Sequence, residues 1–135
     1  MTPKERAQKI LAADRFAVSS GVELVDADKG YAVCSLHITE NHLNAAGAVQ
    51  GGAIFTLADT AFGMAANNQG KLTVSINNSI SYLKSTRGDT LIATASMISS
   101  SKRICTYEVE VKDNLGELIA RMTGTGYIKD EKLPE

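Results

Sequence analysis

Apolar and polar positions along the chain follow two rhythms, one helical and one alternating. Pro3 to Ala13 carries Ala7, Ile10 and Leu11 at helical spacing behind a proline in the first turn, which predicts a short opening helix. Gly21 to Val25 reads as a first strand closed by the turn-like run Asp26-Ala27-Asp28-Lys29-Gly30. From Tyr31 to Ile38 the pattern alternates, with Ala32, Cys34, Leu36 and Ile38 on one face of a half-buried strand. Thr39 to Val49 is irregular, with Asn41, Asn44 and Gly47 as turn formers.

Gly51 to Asn68 is the long helical stretch of the body. Small and apolar residues fill nearly every position, and a helix apolar all round is expected to be buried. Gly70 supplies a C-terminal cap. The remainder is strand-like: Leu72 to Leu83, Thr90 to Ser99, Arg103 to Lys112 and Glu117 to Lys129. In the third of these, Tyr107, Val109 and Val111 oppose Glu108, Glu110 and Lys112; Asp113-Asn114-Leu115-Gly116 then makes a hairpin turn. Glu131 to Glu135 reads as a polar tail. The order of elements predicts an α+β fold, one domain over residues 1–135, with an antiparallel sheet wrapped around a central buried helix. The uncovered sheet face and edges call for a second copy, so a dimer is expected.

Composition narrows the function. A chain of 135 residues with 44% hydrophobic and 21% charged residues is that of a globular domain. A net charge of -1 gives no general attraction for nucleic acid or anionic membranes, and no apolar run is long enough to span a bilayer. The N-terminus lacks the apolar stretch of a signal peptide, which points to the cytoplasm. Cys34 and Cys105 make neither a disulfide framework nor a four-ligand zinc site, and His37 and His42 lack partners at metal-ligand spacing; no metal and no separate cofactor are expected. Both histidines are read as structural or solvated.

Asp59 stands out. It lies mid-helix among Leu57, Ala58, Ala61 and Phe62, where an unpaired carboxylate costs several kcal/mol or takes up a proton. Such carboxylates cluster at functional sites. At the start of the same helix, Gln50-Gly51-Gly52 leaves N–H groups open to a ligand oxygen, an arrangement suited to a carbonyl becoming an oxyanion. Eight residues of helix hold Gly51 and Asp59 about 12 Å apart, too far to act on one carbonyl. Two antiparallel helices across a dimer would pair one subunit's glycine with the other's aspartate. Ser75 and Asn77, with Ser79 next, alternate along one strand face and are candidates to line a cleft. Lys84, Arg87, Lys102 and Arg103, near strand ends, are candidates to meet the phosphates of a nucleotide-bearing substrate.

The segment His42 to Gly63, HLNAAGAVQGGAIFTLADTAFG, resembles the hot-dog fold thioesterases, in particular the phenylacetic-acid-degradation type. The order of elements agrees with that fold over essentially the whole chain. The resemblance implies hydrolysis of an acyl-coenzyme A, coenzyme A being part of the substrate, with its pantetheine arm between subunits. Asp59 would be nucleophile or general base, and the Gly51 N–H the oxyanion donor from the neighbouring subunit. Asn44 would help hold the site or its water, and Ser75 would assist the attacking group. Dimers, commonly paired into tetramers, are implied as well. The family usually has His-Gly-Gly at the helix start; here Gln50 stands in its place, able to donate and accept hydrogen bonds but not to take a proton near neutral pH. Two other readings fit the same fold: a protein that binds acyl-CoA without hydrolysing it, and an enoyl-thioester hydratase.

Overall fold

The computed structural model describes residues 1–133. Helix α1 (Pro3–Ala13) opens on a capping box, Thr2 with Glu5. Then come α2 (Arg15–Ser19), β1 (Val22–Asp28), β2 (Tyr31–His37), a 3-10 turn (Glu40–His42), α3 (Gly51–Asn67), β3 (Lys71–Tyr82), β4 (Thr90–Ser100), β5 (Ile104–Asp113) and β6 (Leu118–Lys132). The six strands form one antiparallel sheet in the order β1-β2-β4-β5-β6-β3. Helix α3 packs against every strand, so the sheet wraps around a central helix as expected.

Local differences from the sequence reading have physical causes. A bulge between Leu24 and Asp26 shifts the alternation of β1, so Ala27 faces the core and the strand runs on to Asp28 through residues that look like a turn. Helix α2 was not anticipated: Asp14 caps it by accepting from the Ala17 N–H, but five residues with Phe16 and Val18 exposed carry no clear helical period. Strand β6 takes in Glu131 and Lys132 of the supposed tail; Pro134 and Glu135 lie outside the described residues. Most of α3 is buried, yet one stripe of it is not. Gly52, Phe55, Thr56, Asp59 and Gly63 keep some exposure.

The helix comes this close because β6 supplies glycines beneath it. A Cβ at Gly124 would lie 2.9 Å from two Phe62 ring carbons, and one at Gly126 would lie 2.7 Å from Thr73 Cγ2 and 3.0 Å from Cys105 Sγ. Phe62 fills the space so left and meets Tyr107 at a centroid distance of 5.3 Å. At the helix end, Asn67 accepts from the Thr73 N–H and donates to Gly63 O and Thr73 O. Asn68 donates to Asp28 O and Tyr31 O, tying α3 to the β1–β2 turn. Gly126→Ala is expected to lose about 1–3 kcal/mol of stability through overpacking, read as a lower urea midpoint at unchanged slope.

Candidate active site

The site is built on the N-terminal half of α3 and on β3 beside it. Gly51 is the first helical residue, and Gln50 precedes it in an extended conformation with no side-chain cap. Among the described residues, the N–H groups of Gly51 and Gly52 have no hydrogen-bond partner, and the helix dipole adds partial positive charge there. Tyr82 at the end of β3 donates its hydroxyl to Gly51 O at 3.1 Å. Its ring lies so near that a Cβ on Gly51 would sit 3.2 Å from Tyr82 Cζ. A hollow of about 390 Å³ opens here, lined by Asn44, Val49, Gly51, Ile54, Tyr82, Lys84 and Ile119. A second, of about 500 Å³, lies on the Gly52 side and includes Gln50 and Thr56.

Asp59 sits two turns along, partly buried. Burial pushes its pKa above the ordinary carboxylate value of 3.8; a hydrogen bond from Asn78 opposes that rise, the charge of Asp14 adds to it, and a hydrogen bond from Ser75 again opposes it. Asn78 Nδ2 donates to Asp59 Oδ1 at 3.1 Å. The sequence reading had placed Asn77 on this face with Ser75. A bulge between Ser75 and Asn77 inserts one residue, Ile76, and reverses the alternation, so Asn78 faces Asp59 instead. No residue type marks such a bulge in advance. The exposed Ile76, in a strand otherwise rich in polar residues, was the available hint.

The remaining expected residues divide. Asn44 shapes its own loop, its side-chain oxygen accepting from the N–H groups of Ala46 and Ala48 at 2.9 and 3.1 Å. His42 accepts from the Thr39 N–H and lies 2.6 Å from Ser20 O, a structural clamp; this geometry assigns its ring proton to Nε2. The basic residues do not form one cluster within the subunit. Lys84, paired with Glu117 at 3.0 Å, lines the smaller hollow, and the exposed Arg87 follows three residues later in the loop after β3. Lys102 and Arg103 lie at the other end of β5, where Arg103 makes a two-pronged bond to Asp130 at 2.9 Å and donates to Ile128 O. Neither thiol is set up as a nucleophile: both are buried, and burial pushes Cys34 up to about 12 and raises Cys105.

The family model of the thioesterase superfamily matches residues 46–120, more than half of the chain and including both Gly51 and Asp59. The chain belongs to the thioesterase superfamily. A protein of Archaeoglobus fulgidus is 41% identical over 118 residues, 83% of this chain and 77% of that one. The acyl-coenzyme A thioesterase PaaI of Escherichia coli is 32% identical over 124 residues, 91% of this chain and 89% of that one. Its solved structure matches at a TM-score of 0.92 with 30% identity, covering 96% of this chain and 95% of the other. A Streptococcus mutans protein solved bound to acetyl CoA matches at 0.78, with 28% identity over 83% of this thioesterase and 91% of that chain. This is a hot-dog thioesterase of the PaaI type.

A carboxylate whose pKa folding raises binds its proton more tightly in the folded state. Its stabilising contribution is full below the unfolded pKa and is lost as pH rises through the folded one. Asp59→Asn, which keeps the Asn78 contact, is therefore expected to raise the thermal midpoint at pH 7. The gain should fade as pH is lowered towards 3.8; calorimetry at both pH values checks it.

Proposed function

We propose that this thioesterase hydrolyses acyl-CoA thioesters at a site shared by two subunits. The observation that carries the reading is the pairing, on one helix, of unpartnered N–H groups at Gly51 and Gly52 with a partly buried carboxylate at Asp59. In the reaction the thioester carbonyl lies against the Gly51 N–H, which stabilises the negative oxygen as the carbonyl carbon becomes tetrahedral. Asp59, ionised, either takes the proton of the attacking water, or attacks that carbon itself to form a mixed anhydride that water then hydrolyses. In both, collapse of the tetrahedral intermediate expels the thiolate of CoA, and the acyl group leaves as the free acid. Ser75 supports the attacking group, while Asn44 fixes the loop leading to the helix and Gln50 offers an amide at the carbonyl. None of the three moves a proton of its own near neutral pH. Lys84 and Arg87 from one end of the sheet, and Lys102 and Arg103 from the other, receive the phosphates, with Gly52 and Asn77 near the acyl-bearing arm.

A second copy is needed because about 12 Å of helix separates Gly51 from Asp59 in the same chain. Three features support pairing through this face. Strand β3, 12 residues long, is an edge strand with an unpaired outer side among the described residues. Ile76, Tyr82 and Leu83 on and after it are exposed. The open stripe of α3 carries small residues at Gly52, Thr56 and Gly63, and a Cβ on Gly63 would meet nothing within 4 Å. Antiparallel α3 helices would then bring each Gly51 near the other copy's Asp59. A tetramer would pair two such dimers. Acyl-CoA as substrate is supported by the names of the relatives described above.

Asp59→Ala is expected to lower kcat by about a thousandfold or more while the protein stays folded and associated. Thiol release from a panel of acyl-CoAs, with light scattering for the assembly, checks both. Full activity in the variant overturns the role of Asp59; tight acyl-CoA binding with no thiol release from the unaltered protein overturns hydrolysis.

A further inference from the structure

The bulge at Ile76 delivers an amide to Asp59 that an unbroken strand would turn to the opposite face. One end of that amide, Asn78 Nδ2, donates to Asp59 Oδ1 at 3.1 Å. The other end, Asn78 Oδ1, is buried and has no hydrogen-bond partner among the described residues. It lies against β6 at Gly124, where any Cβ would come within 2.7 Å of it. Two departures from regular structure thus help seat this amide: the bulge, and a glycine that makes room for Phe62 as well. A leucine has the same branched outline and no polar oxygen to strand, so burial alone gives no reason for an asparagine here.

The surroundings of Asp59 explain what the amide does. Among the described residues, the side chains that act on it most are Asn78, Asp14 and Ser75, and none of the three is a cation. Asp14, the N-cap of α2, brings negative charge. From the sheet, Cys34, Cys105 and Tyr107 face α3, each kept neutral by burial, and Tyr82 donates its hydroxyl to Gly51 O at the helix start. Two hydrogen-bond donors on β3 are what favour the ionised form.

We propose that Asn78 is a positioning residue of the thioesterase: its amide grips Asp59 Oδ1, holds the carboxylate in one rotamer and keeps it ionised, leaving Oδ2 for the thioester or its water. The proposal rests on Asp59 being the reacting carboxylate. Losing the grip both frees the side chain to rotate and removes the stronger of its two donors.

The test uses Asn78→Leu, Asn78→Ala and the donor-retaining Asn78→Ser in the full chain, with two readouts. One is the titration of the Asp59 carboxyl by carbon-13 NMR; the other is the acid limb of the pH profile of kcat/KM. In the leucine and alanine variants both should move up by about one pH unit, and kcat at neutral pH should fall about tenfold with KM unchanged. The serine variant should lie between these and the unaltered protein. Folded leucine and alanine variants with an unmoved Asp59 titration overturn the proposal. An Asp59 titration that moves while the acid limb stays put upholds the Asn78 grip and overturns Asp59 as the reacting group, so the two ideas fail separately.

Discussion

A seventeen-residue helix with apolar side chains on almost every face must be covered nearly all the way round, and everything else in this chain follows from covering it. Six strands wrap it, and the two β6 glycines let Phe62 sink onto the sheet. Asn67 and Asn68 hold the helix end to β3 and to the β1–β2 turn. The wrapping stops short at one stripe, and Asp59 lies on it. A carboxylate fully enclosed there would take up a proton; one fully in water would have an ordinary acidity. Asp59 sits between, with its pKa pushed up by burial and held back by donors from β3.

The same incomplete cover gives the site its proposed shape. Unpaired N–H groups at Gly51 and Gly52 and the carboxylate at Asp59 occupy one helix, but too far apart to share a carbonyl. A rigid helix cannot bend to bring them together. A second helix lying antiparallel along the open stripe would pair them twice, once at each end, while burying the exposed Ile76 and Leu83. One contact would then serve both stability and chemistry.

Much of this was legible in the sequence, and the parts that were not share a cause. The long periodic elements declared themselves: α1 matches its predicted span, α3 differs by one residue, and β2 and β5 bury the faces their alternation assigned. Asp59 and the glycine pair stood out because each conflicts with an ordinary helix. What escaped were the places where a period breaks. The bulges at Val25 and Ile76 insert a residue without any special residue type, so alternation puts Ala27 in a turn and Asn77, not Asn78, on the face of Ser75. The five residues of α2 are too few to show a period. The grouping of charge was not legible for a related reason: four basic residues near strand ends look alike in sequence, but the strand lengths put them at opposite ends of the sheet, with Arg103 paired to Asp130.

The shared site is tested most directly by mixing two inactive chains. Gly51→Pro removes the N–H at the first helical position, where the backbone tolerates proline; Gln50 already has the extended backbone that precedes a proline (φ -60, ψ 133), and the exposed Tyr82 ring, 3.2 Å from the added Cβ, must shift by a few tenths of an ångström. Asp59→Ala removes the carboxylate. If each site takes its glycine from one subunit and its aspartate from the other, a mixed dimer has one intact site and one doubly damaged one. Equal mixing with subunit exchange then restores about a quarter of the unaltered activity, since about half of the dimers are mixed. If subunits exchange and activity does not return, glycine and aspartate do not act across the interface, and the account is wrong.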